Sequence, residues 1–146
     1  MKFRSIVVRL GLSVFGSICL LGLVTLAHAH SNPIGGVWSG HLSVVGLDRL
    51  NADALLSVSP GNATLSLTEG SMHCTLTNGA YQETEQAPGY SIVFAQVGGD
   101  VSCRKFVNET FEFTPGPNRR VWAYSVSYAG KHGEEIRASG TLMRPL

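Results

Sequence analysis

Residues 121–128 read Val-Trp-Ala-Tyr-Ser-Val-Ser-Tyr. Trp122, Tyr124, Val126 and Tyr128 fall on one side of a period-two repeat, and Val121, Ala123, Ser125 and Ser127 on the other, which is the pattern of a strand with one buried face. The same alternation spreads outward in both directions. Downstream, Ile136, Ala138, Gly140 and Leu142 oppose Arg137, Ser139, Thr141 and Met143, after a reversal at Gly130 to Glu135. Upstream, Phe111 and Phe113 share a face within Glu109 to Thr114, and Pro115-Gly116-Pro117-Asn118 turns the chain. Nearer the start, Trp38, Gly40, Leu42 and Val44 alternate with Ser39, His41 and Ser43, and Ala54, Leu56 and Val58 lead through Pro60-Gly61-Asn62 into Ala63, Leu65 and Leu67.

Between these segments the reading is local. Met72, Cys74 and Leu76 alternate with His73, Thr75 and Thr77, and the following Asn78-Gly79 reads as a turn. Tyr81 to Gly89, with Glu83, Glu85 and Pro88 and little alternation, reads as a mobile loop or frayed edge. Ser91 to Val97 reads as a strand ending at Gly98-Gly99-Asp100, and Val101 to Phe106 as another, carrying Cys103. No segment sustains a 3.6-residue period, so the chain is predicted to be all-β. Eight or nine short antiparallel strands joined mainly by tight turns fit a small up-and-down barrel, with a β-sandwich as the alternative. Gly40 and Gly140, both in mid-strand, favour the barrel, whose walls must bend sharply.

The first 29 of the 146 residues predict a cleavable export signal. Lys2, Arg4 and Arg9 precede an uncharged run from Leu10 to Ala27, and Ala27-His28-Ala29 supplies a small-x-small cleavage triplet. The run reaches the lower length limit of a spanning helix, so an uncleaved N-terminal anchor is the alternative. Cys19 follows a bulky Ile18 and does not fit a lipid-attachment signal. Residues 30–146 then form a single domain of 117 residues, secreted or periplasmic, with no stable membrane insertion after cleavage. Losing the leader removes three basic and no acidic side chains, which shifts the formal charge from +1 to −2. The basic pairs Arg104-Lys105 and Arg119-Arg120 are too narrow for a nucleic-acid surface, so no nucleic-acid partner is expected.

Two cysteines remain after the leader, Cys74 and Cys103, and in an exported chain they read as one disulfide. A thioredoxin-like pair would stand two residues apart, and a zinc site would need more ligands at short spacing.

Gly36-Val37-Trp38, opening the first strand, resembles the Gly-x-Trp start of the lipocalins and their calycin relatives, including the avidins. The resemblance implies an eight-stranded calycin-like barrel with one end open to a ligand. It also implies a late-strand arginine, Arg144 or Arg137 by position, against Trp38 at the closed end, a cation–π contact. The mature length is short for a lipocalin, and neither a Thr-Asp-Tyr segment nor a long N-terminal helix is present. Size, export and a single disulfide also resemble the periplasmic lysozyme inhibitors, with Ser139-Gly140 and Ser39-Gly40 similar to their Ser-Gly element.

The residues argue against catalysis. There is no Gly-x-Ser-x-Gly elbow and no free thiol. The acidic pairs Glu134-Glu135 and Glu83/Glu85 sit near turns, and Gly35-Gly36 and Gly98-Gly99 precede strands where a phosphate site needs a helix. No cofactor or resident metal is expected. The expected function is a non-catalytic binding module, taking a small apolar ligand near Trp122, Tyr124 and Tyr128 or an extracytoplasmic protein surface. The alternative is an exported inhibitor of a hydrolase such as lysozyme or a protease, inserting Tyr81 to Gly89 or Gly130 to Glu135. A third reading is copper binding by an N-terminal His30 with His41, His73 or His132.

Overall fold

A computed structural model describes residues 34–44, 50–84 and 89–146. Eight strands follow one another around a closed antiparallel barrel: β1 (Gly36–Val44), β2 (Leu50–Ser59), β3 (Asn62–Glu69), β4 (Met72–Glu83), β5 (Tyr90–Gly99), β6 (Thr110–Pro115), β7 (Val121–Ala129) and β8 (Glu135–Met143). Each strand pairs with its neighbour in sequence, and β8 returns to β1. Closure gives each of the eight strands a neighbour on both sides, where a sandwich would leave edge strands.

The period-two faces sort as the sequence implies. Buried and exposed residues alternate along all of β2, and along β7 the even-numbered residues are buried. The interior is aromatic on the β5–β7 side and, apart from Trp38 on β1, small or aliphatic on the β1–β2–β8 side, where Ala52, Ala54 and Ala138 are buried. At the β1–β8 seam a Cβ on Gly40 would stand 1.8 Å from the Thr141 carbonyl oxygen, and one on Gly140 would stand 1.7 Å from that of His41. The seam thus closes only because each strand lacks a side chain where the other's backbone passes.

Three local readings are corrected. Asn78-Gly79 is no turn: β4 continues through it as a bulge, with Asn78 in the left-handed region (φ 53°) and the register against β3 shifting there. The extra residue moves the inward positions from Cys74 and Leu76 to Gly79, a change of parity that ends simple alternation. Tyr81 to Glu83, read as loop, therefore belong to β4 and pair with Tyr90 to Ile92. Val101–Phe106 is a 3₁₀ helix, not a strand. Its Cys103 bonds Cys74 on β4, and its Phe106 turns into the core, so both inward residues stand three apart as a 3₁₀ turn requires. The strand count is accordingly eight.

The two barrel ends close differently. At one, the Trp38 indole N–H donates to the Ile34 carbonyl at 2.7 Å, and the Arg144 guanidinium lies 4.5 Å from the Trp38 ring centre. Arg144 also donates from its guanidinium to the Gly35 carbonyl and from its backbone N–H to the Arg120 carbonyl, tying the chain's tail across this end. Of the two arginines implied by the calycin resemblance, Arg144 occupies this position, while Arg137 faces outward. At the opposite end the disulfide-held 3₁₀ helix brings Phe106 within 5.1 Å of Tyr128 and 6.1 Å of Phe111, centre to centre. Lys105 covers this cluster with its ammonium 4.7 Å from the Tyr128 ring centre.

Candidate functional site

Trp122, Tyr124 and Tyr128 all face the barrel interior and are no more than 5% exposed. Trp122 sits between Trp38 and Tyr90, with ring centres 6.3 and 5.6 Å away. Tyr124 stacks on Phe113 at 5.5 Å with the rings 6° from parallel, and Tyr128 meets Phe106. These rings therefore do not converge on one mouth: they occupy successive levels of the barrel and pack against neighbours at each. Edge and offset contacts of this kind add to area burial in holding an interior together.

The Tyr124 hydroxyl is buried and has no hydrogen-bond partner among the described residues. Burial pushes its pKa well above that of a free phenol, because the phenolate would lose its water. Tyr90 is also raised, first by burial and then by the carboxylate of Glu83, which lies 3.5 Å from its hydroxyl.

The outer wall carries a different feature. Across β1, β8, β7 and β6 the register sets Ser43, Ser139, Ser125 and Glu112 in one row, and His41, Thr141, Ala123 and Thr114 in the next. Small side chains fill most of both rows, with Glu112 at one end of the first and His41 at the opposite end of the second. The result is a hollow of about 590 Å³ on a wall that would otherwise be convex. A second hollow of about 280 Å³ continues from it toward Glu109 and Ser127, sharing Glu112, Ser125 and Arg137. Tyr124 reaches the floor from inside, beneath the bare backbone of Gly140, its cross-strand partner.

Arg137 and Glu112 are the formal charges that line the main hollow. Arg137 donates to the Ser125 hydroxyl at 3.1 Å and lies 4.0 Å from the Glu112 carboxylate. His41 Nδ1 stands 2.9 Å from Asp53 Oδ1 on the neighbouring β2. Ser43 donates to the Ser139 carbonyl at 3.4 Å. His41 and Asp53 are 72% and 75% exposed, so the pair is solvated on an open face. Sequence reading missed this groove, since its rows join residues on four strands.

The remaining candidates are dispersed. Among the described residues no three His, Cys, Asp or Glu gather closely enough to hold a metal, and His30 lies outside those residues. The apolar run Leu10 to Ala27 also lies outside them; among the described residues no helix is long and apolar enough to cross a membrane. The turn Gly130 to Glu135 is braced by Gly130 N–H to the Glu134 carbonyl (2.7 Å), Gly133 N–H to the Gly130 carbonyl (3.1 Å) and His132 N–H to Glu134 Oε2 (2.9 Å). Lys131 and His132 project from it, exposed. Of the other candidate loop, residues 85–88 lie outside the described set. Comparison with known proteins finds no family model, no curated protein and no solved structure that matches this chain.

Proposed function

We propose that the chain is an exported, non-catalytic binding module that meets its partner on the outer wall of the barrel, across β6, β7, β8 and β1. The observation that supports this is the contrast between the two faces of β7. Its inward row is committed to ring packing, with Trp122, Tyr124 and Tyr128 buried, which weighs against an apolar guest in the barrel mouth. Its outward row floors the groove. Export is supported by the basic, apolar and small-residue order of the leader and by the Cys74–Cys103 bond, which suits an oxidising compartment. A binding role without catalysis is supported by the solvation of the His41–Asp53 pair, whereas general bases work from sheltered positions.

A second reading is inhibition of a hydrolase through the turn at Gly130 to Glu135. Its internal bracing favours it, because a preorganised loop loses little freedom on binding.

Photo-crosslinking separates these readings. A benzophenone side chain is placed at Ser139 in the groove, at Lys131 on the turn, or at Ser66 on the opposite wall, in protein made by an export-competent host. Adducts confined to Ser139 are the expected result, and adducts confined to Lys131 transfer the function to the turn. Equal labelling at all three positions, or labelling at Ser66 alone, overturns both.

A further inference from the structure

We infer that the ligand of the outer groove is a neutral, linear oligosaccharide. The inference rests on reading the groove as the recognition surface, and it follows from what the groove offers and lacks. It offers hydroxyls: Ser43, Ser139 and Ser125 in one row, Thr141 and Thr114 in the next, each able to donate and accept. It offers no net formal charge among the residues that line the main hollow, because Arg137 stands against Glu112. A phosphorylated or polyanionic ligand would meet repulsion from Glu112 as readily as attraction from Arg137.

A protein partner is disfavoured by the same inventory. Interfaces draw their affinity from buried aromatic and aliphatic anchors, and the exposed large apolar residues among those described, Val37, Leu55, Val101, Met143 and Leu146, do not line the groove. An extended peptide that adds to a sheet needs an edge strand, and among the described residues each strand of the closed barrel has a neighbour on both sides. What remains is a ligand whose polar groups repeat at short, regular intervals. Neighbouring strands repeat every ~4.8 Å across the rows, and a β-linked pyranose chain advances by a similar step per sugar. Ala123 and the bare backbone of Gly140 supply a small apolar floor for the C–H face of a sugar ring. Arg137 and Glu112 supply the charge-assisted bonds that fix adjacent hydroxyls.

The test is an amide NMR titration of the oxidised protein with cellotetraose, chitotetraose and maltotetraose, alongside a tetragalacturonate as the charged comparison. At least one neutral tetrasaccharide is expected to shift the amides of Ser125, Arg137, Ser139 and Thr141. Ser139→Trp, which fills the centre of the floor, is expected to abolish those shifts, and Arg137→Ala to weaken binding at least tenfold. Ser66→Trp on the opposite wall is the matched control and is expected to change nothing. The inference is overturned if no neutral tetrasaccharide shifts these amides at millimolar concentration, if the shifts survive Ser139→Trp, or if only the charged sugar binds. Should the sugars fail while adducts still form at Ser139, the groove stands and the sugar class falls; should both fail, the groove falls too.

Discussion

Replacing Tyr124 by phenylalanine is expected to stabilise the barrel by about 1 kcal/mol at neutral pH, since leaving a buried polar group unsatisfied costs about 1–3 kcal/mol. The substitution removes one oxygen and keeps the ring, so the stack on Phe113 at 5.5 Å survives. The lower end of that range applies because the vacated volume forfeits some dispersion contacts. The same substitution changes the alkaline limb of the stability profile. Below pH ~10 the phenol is protonated in both folded and unfolded chains. Above it the unfolded chain releases the proton while the folded chain retains it, because burial holds the Tyr124 pKa up. Folding stability thus falls by about 1.4 kcal/mol per pH unit from this group until the folded pKa is passed. Tyr124→Phe lacks that loss, so its advantage over the parent grows from pH 10 to pH 11. Urea unfolding followed by tryptophan fluorescence at pH 7, 10 and 11, with the disulfide intact, measures both effects. A variant that is less stable by more than 1 kcal/mol at pH 7 with an unchanged m value refutes the reasoning, because the hydroxyl must then have a strong partner. Parallel pH profiles for the two proteins refute the assignment of the buried phenol.

Two further substitutions probe the frame. Gly140→Ala places a methyl group 1.7 Å from the His41 carbonyl oxygen, so the seam must part, and a loss of about 3 kcal/mol or more is expected; a thermal midpoint within a degree of the parent's would show that the seam does not depend on close approach. The double change Cys74→Ser with Cys103→Ser opens a loop with a sequence separation of 29 and is expected to cost about 3.5 kcal/mol by the chain-entropy relation. Hydrogen exchange should quicken first in Val101–Phe106, and an unchanged urea midpoint would contradict the role given to the bond.

Much of the frame was legible because a strand's two faces are written at adjacent positions. Trp122 through Tyr128 alternate in sequence and alternate in burial, and the two cysteines among the described residues pair with each other. Reading failed where one residue carried two meanings. Asn78-Gly79 has the composition of a hairpin turn, yet the same left-handed preference that makes asparagine a turn residue also lets it form a bulge in a continuing strand. Cys103 and Phe106 lie in a segment that looks apolar enough for a strand, and only their inward spacing of three shows the 3₁₀ turn. The inward aromatic row was visible, but that its members pack against Trp38, Phe113 and Phe106 was not, since those partners are set by closure. The groove lay furthest from reach. Ser43 and Ser139 are 96 residues apart, and nothing local announces that they share a row.

That separation has a consequence for when the molecule becomes itself. The first strand finds its second neighbour only in the last one, so while the chain is being made β1 has an unpaired side and Trp38 lacks the arginine that covers it. Pairings between distant segments form slowly because the intervening chain must first be brought together. Every shorter nascent chain is therefore an open sheet, and the final strand acts as the clasp. For a chain proposed to be exported, this ordering delays commitment: the barrel cannot lock before β8 is available, which keeps the emerging strands threadable until β8 has followed them.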